Sequence, residues 1–204
     1  MRLGVDLSEH QAGFTAFAGL DFAVLRTTDG TYRDHAFSHL LADALSANLP
    51  ISTYHYLRAP SEGTSVKEQV DAALEVLGST RVPMWLDVES PAGLSLDDVH
   101  SAHHHFTTAG VEVAGVYTTA AYWRRHMLLA NPAQFGALWL AAWGDNPVVE
   151  VGGGEGASVL GGGDVPSISK SPWPLGMPAP LMWQFTSRGR VPGWDGEVDL
   201  NVAL

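Results

Sequence analysis

The sequence predicts an α/β fold, an irregular barrel of eight strands and five helices, and three observations carry that prediction. Short apolar runs of strand length alternate with segments whose apolar residues recur at helical spacing, which implies a parallel sheet. The strand-like runs number eight, the closure number of a small TIM-like barrel. Polar residues also gather where those runs end, and in parallel barrels that is where functional groups sit.

Leu3 to Leu7 is the first strand and ends near Asp6. Phe14 to Ala18 fits one helical turn. Asp21 to Arg26 is a continuous apolar run, as expected of a strand covered on both faces, and Thr27-Thr28-Asp29-Gly30 ends it with turn chemistry. Ala36 to Asn48 reads as a helix, with Phe37, Leu40, Leu41, Ala44 and Leu45 on one face and a stop at Leu49-Pro50. Ile51 to Tyr56 is the third strand. Ser65 to Leu77 is the next helix, stopped by Gly78. Residues 84–89 form the fourth strand, Asp97 to Ala109 a helix, and Val113 to Tyr117 the fifth strand. A helix from about Ala120 to Leu129 and a sixth strand, Leu138 to Trp143, follow. The alternation then fails, because glycine triplets and prolines leave no room for a helix between about 148 and 180. Leu181 to Phe185 and Glu197 to Asn201 complete the strands without covering helices. A single catalytic barrel domain over 1–204, with a Gly/Pro-rich insertion at about 148–180, is the expected organisation.

Lys and Arg total 11 against 22 Asp and Glu, a net charge of −11. That argues against nucleic acid and anionic membrane surfaces as partners, since both attract basic patches. The chain has no Cys, so thiolate and disulfide chemistry are unavailable. No apolar signal segment or membrane span is visible. The expectation is a chain made in the cytoplasm, acting elsewhere only after release, or a domain cut from a longer protein. A monomer is expected.

The stretch Pro83-Met84-Trp85-Leu86-Asp87-Val88-Glu89-Ser90 carries the chemistry. Side chains alternate along a strand, so Asp87 and Glu89 share a face, with backbones roughly 6.5–7 Å apart. Like charges placed together in apolar surroundings resist ionisation. A fold has no need of such a pair, whereas an acid catalyst must hold a proton near neutral pH. The plainer alternative is an edge strand with solvated acids. Asp6, Asp29, His55, Tyr117 and Asp199 also fall at expected strand ends. Tyr54, Tyr117, Trp139, Trp143 and Trp183 are candidates to line a groove, although Trp139 and Trp183, inside strands, suit core at least as well. Gln184 and Asn201 are candidate hydrogen-bond donors to a ligand. His55 suits either ligand contact or a buried role propping a carboxylate. His100, His103, His104 and His105 sit at helical spacing, but no acid or Cys completes a closed metal site, so no metal is expected.

Gly4-Val5-Asp6-Leu7-Ser8-Glu9-His10-Gln11 resembles the opening strand of the family 25 glycoside hydrolases, the lysozymes known as muramidases. Phe22 to Gly30, Tyr54-His55-Tyr56, Leu86-Asp87-Val88-Glu89, Gly115-Val116-Tyr117-Thr118 and Leu138-Trp139-Leu140-Ala141 follow in that family's order. Trp183-Gln184-Phe185 and Val198-Asp199-Leu200-Asn201 close the match. The resemblance implies cleavage of the β-1,4 bond between N-acetylmuramic acid and N-acetylglucosamine in a peptidoglycan glycan strand, without metal or cofactor. It implies Glu89 as general acid and Asp87 as its partner, either nucleophile or orienter of the substrate acetamido group. Asp6 and Asp199 would complete a carboxylate ring. Beside that ring, Tyr54, His55, Asp29, Tyr117, Trp143, Gln184 and Asn201 are the candidate substrate-binding residues from the residue pattern. The wording of the chain is similar to actinobacterial and phage versions. Two positions depart from the family, which usually has Trp at His10 and Glu at Asp29. A glycan-binding module without catalysis, and a hydrolase of another acetamido-sugar polymer such as chitin, are the competing readings.

Overall fold

The computed structural model describes residues 1–128, 130–152, 166–173 and 177–204. Its strands are β1 (Arg2–Leu7), β2 (Phe22–Asp29), β3 (Tyr32–Arg33), β4 (Ile51–Tyr56), β5 (Met84–Asp87), β6 (Val113–Thr119), β7 (Ala137–Ala141), β8 (Val149–Glu150), β9 (Met182–Arg190) and β10 (Val198–Ala203). Eight of them close a ring in the order β1-β10-β9-β7-β6-β5-β4-β2, and β2 pairs back to β1. The two-residue strands β3 and β8 pair outside the ring with β2 and β9.

The helices are α1 (Phe37–Ser46), α2 (Val66–Leu77), α3 (Leu96–Thr108) and α4 (Ala120–His126). They follow the β2/β3 unit, β4, β5 and β6, and the described connections after β7 hold no α-helix. The barrel is therefore irregular where the sequence lost its alternation. Two helices start on reciprocal caps. Ser65 and Ser95 accept from the backbone N–H of Glu68 and Asp98, whose carboxylates accept from the Ser N–H in return. The observed helix count is four, not five, because Phe14–Ala18 is not helical. Phe14 and Phe17 are instead buried from an irregular loop, ring edge to ring face at 5.0 Å, with Gly13 and Gly19 at positive φ. The short helical element here is a 3-10 turn at Glu9–Gln11, capped by Ser8.

Alternation along the strands divides two apolar layers. Leu3, Val5, Leu7, Ala23, Leu25, Leu86, Val116, Leu138 and Leu140 face outward beneath the helices and loops. Phe22, Val24, Trp85, Tyr117, Trp139, Met182 and Ala203 face inward and plug the barrel. Burial of this many apolar side chains, at about 25 cal/mol per Å², is the main favourable contribution to the fold. Gly4 on β1 is required by that plug, since a Cβ there would lie 2.5 Å from the Phe22 ring. Gly115 on β6 is required by strand contact, where a Cβ would lie 1.9 Å from the Ala137 carbonyl oxygen.

The last strand departs from the parallel pattern. β10 runs antiparallel to both β1 and β9, with Asp6 directly opposite Asp199. Asp199 thus lies near the start of its strand, not at the C-terminal end that sequence reading assigned. Reversal of the strand brings it to the same rim. Much of the expected insertion, 153–165 and 174–176, lies outside the described residues. Its described parts include β8, beside the outer end of β9, and a 3-10 turn at Ile168–Lys170. No helix among the described residues is long and apolar enough to cross a membrane.

Candidate active site

The inward positions of β1, β5 and β10 deliver carboxyl groups to the mouth of the barrel where the parallel strands end, above the aromatic plug. Asp87 is the last residue of β5, and Glu89 follows two residues later. Asp87 is almost wholly buried, and its Oδ1 finds no hydrogen-bond partner among the described residues. Burial first, then the neighbouring Glu89, Asp6 and Asp29 charges, push its carboxyl well above the usual range, and Arg26 opposes them. Glu89 is only partly exposed, and burial followed by the Asp6 charge raises its pKa too. Its side chain makes no hydrogen bond to any described residue, and Asp6 is the charge that acts on it.

Asp6 is buried and is held by amides. Its Oδ2 accepts from Asn201 Nδ2 at 2.7 Å and from Gln184 Nε2 at 2.8 Å. Burial raises its pKa, and those hydrogen bonds pull in the other direction. Asp199 is pushed up to about 8, by burial first and then by the Asp6 charge beside it. Tyr117 lies across the same space, its hydroxyl donating to Gln184 Oε1 at 2.8 Å. Trp143, 41% exposed, anchors its indole N–H on the same oxygen at 2.8 Å and presents the ring at the rim. Tyr54 points inward from β4, edge to face with Trp139 at 6.2 Å, and its phenol feels the charges of Asp6, Asp87 and Asp199.

Three expectations are corrected. His55 does not join the site. The strand's alternation turns it outward, where it is fully buried beneath Phe106 of α3, with Nδ1 2.6 Å from Thr28 Oγ1. Burial pushes its pKa down to about 4, so the ring is neutral. Asp29 reaches the rim but is occupied. Arg58 grips it with two contacts, Nε to Oδ1 at 2.5 Å and Nη2 to Oδ2 at 2.7 Å, while stacking on the Tyr56 ring at 4.7 Å. Gln184 and Asn201 are buried and bonded inward instead of being free for a ligand. Among the histidines of α3, His100 and His103 lay their rings against Phe135.

Sequence reading missed Arg26, Glu9 and Asp34. Arg26 is inward on β2 and nearly buried, with Nε donating to Asp34 Oδ2 at 2.8 Å and Nη2 3.1 Å from Glu9 Oε1. Asp34 also accepts from the Glu9 and Ala36 backbone N–H groups, which ties the loop after β1 to the start of α1. The usable signal was an arginine in line with Phe22 and Val24, which face inward on the same strand. Ser90 and Glu62 also hydrogen-bond, which braces the turn that carries Glu89.

The raised carboxyl groups make stability depend on pH. An acid with a raised folded pKa keeps its proton when the unfolded chain has lost it, so stability falls as pH climbs, for Asp199 from about 3.8 to about 8. His55 acts oppositely, because its lowered pKa weakens the fold at acid pH and that effect ends above 6.5. Between pH 6.5 and 8 only the carboxyl effect remains of the two. The melting temperature should therefore fall over that interval, and Asp199→Asn should flatten the slope. Thermal melts of both proteins at matched ionic strength check this, and a rising wild-type curve would refute it.

A closed barrel with proton-holding carboxyls and aromatic rings at one mouth is the construction of a barrel hydrolase with an acid-base site. The sequence profile of glycosyl hydrolases family 25 matches residues 5–194, and the chain belongs to that family. It is 27% identical to Lysozyme M1 of Streptomyces globisporus over 97% of this chain and 66% of that protein. It spans 45–66% of the length of the curated relatives it matches. The bacterial lysozyme of Streptomyces coelicolor superposes with a TM-score of 0.73 at 25% identity, covering 99% of this chain and 91% of that one. The catalytic domain of an endolysin from a Listeria monocytogenes bacteriophage shares the fold, with a TM-score of 0.74 at 22% identity over 100% of this chain and 93% of the other.

Proposed function

We propose that this domain is a peptidoglycan muramidase that cleaves the β-1,4 bond between N-acetylmuramic acid and N-acetylglucosamine. The observation that carries the reading is the pairing of two carboxyls at the end of β5 with different surroundings, one buried and one partly exposed. Glu89, partly exposed and without a hydrogen-bond partner among the described residues, is suited to protonate the leaving glycosidic oxygen. Asp87 is enclosed, and its Oδ1 lacks a donor. A buried acceptor left open in the protein calls for a donor from the ligand. The acetamido N–H of the sugar is such a donor. That favours Asp87 as the group that orients the acetamido oxygen toward the anomeric carbon over direct attack by the carboxylate. Both routes retain configuration.

Asp6 and Asp199 supply the electrostatic setting, Trp143 at the rim supplies a surface for a sugar ring with Tyr54 beneath it, and buried Tyr117 supports the floor. Aromatic faces suit the C–H surface of a hexose, and the acidic protein needs no basic patch for an uncharged glycan backbone. The cell wall is then the place of action, and the glycan strand the partner.

Digestion of purified peptidoglycan with mass spectrometry of the fragments tests the proposal. Muropeptides with muramic acid at the reducing end are expected. Fragments ending in N-acetylglucosamine would reject the muramidase, and wall binding without any cleavage would favour the glycan-binding module. NMR of the first-formed anomer should show the β configuration, and an initial α product would reject retention.

A further inference from the structure

We infer that Gln184 is a positioning residue for the proposed reaction: its amide holds the Trp143 ring at the rim and fixes which of Asp6 and Asp199 carries the proton. The inference rests on the glycosidase reading of the site and extends it to a buried residue whose hydrogen bonds are all made within the protein.

The orientation of the amide follows from chemistry. An indole N–H only donates, so the Gln184 atom facing Trp143 Nε1 at 2.8 Å must be the oxygen. The Tyr117 hydroxyl donates to that same oxygen at 2.8 Å, which fills both acceptor sites. The nitrogen therefore faces the carboxyls, 2.8 Å from Asp6 Oδ2 and 3.3 Å from Asp199 Oδ2. The side chain is 2% exposed, and these contacts use its full hydrogen-bonding capacity.

Its neighbour across the β9–β10 pairing repeats the arrangement. Asn201, in register with Gln184, accepts from Trp139 Nε1 at 2.8 Å and donates to Asp6 Oδ2 at 2.7 Å. Donor-only indoles thus set the polarity of both amides, and both aim N–H groups at one oxygen of Asp6. Two N–H donors on one carboxyl oxygen favour the charged form of that carboxyl. Asp6 is consequently the anion of the pair, and Asp199, opposite it on β10, is the partner that keeps the proton. The titration leans the same way: against the upward effect of burial the Asn201 and Gln184 hydrogen bonds lower Asp6, whereas burial and then the Asp6 charge raise Asp199.

The other ionisable groups facing this pair are Tyr54 from β4, Asp87 and Glu89 from the end of β5, and Tyr117 from β6, with Arg26 of β2 acting on Tyr54 and Asp87. None of them competes for the Gln184 nitrogen. A glutamate at 184 would still accept from Trp143 and Tyr117 but would aim a third carboxylate at Asp6. A methionine would fill the space with no polarity at all.

The test is carboxyl 13C NMR titration of Asp-labelled protein, with Asp6 and Asp199 assigned by Asp6→Asn and Asp199→Asn, in wild type, Gln184→Met and Gln184→Glu. Loss of a charge-assisted donor should raise the Asp6 midpoint by about one pH unit in Gln184→Met. The Trp143 indole N–H should shift and exchange faster in that variant only. In kinetics on solubilised glycan strands, Gln184→Met should raise KM and move the acid limb of kcat/KM up by about one unit. Gln184→Glu should keep KM and move only the limb. An unchanged Asp6 midpoint together with an unmoved Trp143 N–H in a folded Gln184→Met overturns the inference. Should that variant fail to fold, an Asp6 midpoint in Gln184→Glu equal to wild type overturns it equally. The NMR readouts need no activity, so a wild type without cleavage would remove the glycosidase reading while the titration still decides the role of Gln184 in the network.

Discussion

Glu89→Gln is expected to lower the rate of glycan cleavage by about 10³-fold, within the range by which a positioned general acid contributes. The amide matches the carboxyl in size but has no proton to deliver to a leaving oxygen. Glu89 makes no hydrogen bond to any described residue, so the substitution breaks no contact there, and because it removes a carboxyl of raised pKa the fold should be at least as stable as wild type above the ordinary glutamic acid range. Burial and the Asp6 charge raise its pKa, which favours the protonated form that an acid catalyst needs. In the wild type the alkaline limb of the pH–rate profile should therefore lie above the ordinary glutamic acid range, at the pH where Glu89 loses its proton. Turbidity loss of purified walls and reducing-end release measure the rate, with circular dichroism as the control for folding. A folded Glu89→Gln protein as active as wild type would end the assignment.

The features that were legible in the sequence share a local cause. Strand alternation and helical spacing are short-range patterns, so β1, β2, β4, β5, β6, β7, β9 and β10, along with the four α-helices, all overlap segments identified from the local pattern, although β9 runs on to Arg190 and α4 stops at His126. Asp87 and Glu89 were visible because acids interrupted such a pattern. The misreadings came from long-range structure. Whether Tyr54 or His55 enters the site depends on which face of β4 looks inward, and a Tyr-His-Tyr run does not state that. The Asp29–Arg58 pair joins residues from the ends of β2 and β4. The amides of Gln184 and Asn201 look like ligand donors until Trp143, Trp139 and Asp6 are seen to surround them. Direction mattered too. Asp199 reaches the rim only because β10 runs backwards, and no spacing in the chain announces that reversal.

Asp87→Asn should combine a loss of activity of at least about 10²-fold with a more stable fold. Asp87 occupies a position that stability alone would give to a neutral residue. Its Oδ1 has no partner, and the Asp6 and Glu89 charges repel the ionised form. An uncompensated buried charge is held off by protonation, and that protonation works against the fold at any pH where the unfolded chain is ionised. The folded pKa is raised, so the penalty is absent below about pH 3.8 and grows as pH climbs. Asparagine keeps the shape and removes the titration. At pH 7 the variant should be the more stable, seen as a rise in melting temperature, with each kcal/mol gained worth about 2–4 °C for a chain of this size. At pH 4 the two proteins should melt nearly together. A gain that grows with pH while wall lysis is lost identifies a residue held in an unfavourable place for its chemistry. A melting temperature below wild type at pH 7 would mean instead that the carboxylate is stabilised by partners, and the orienting role assigned to its open oxygen would fall with it.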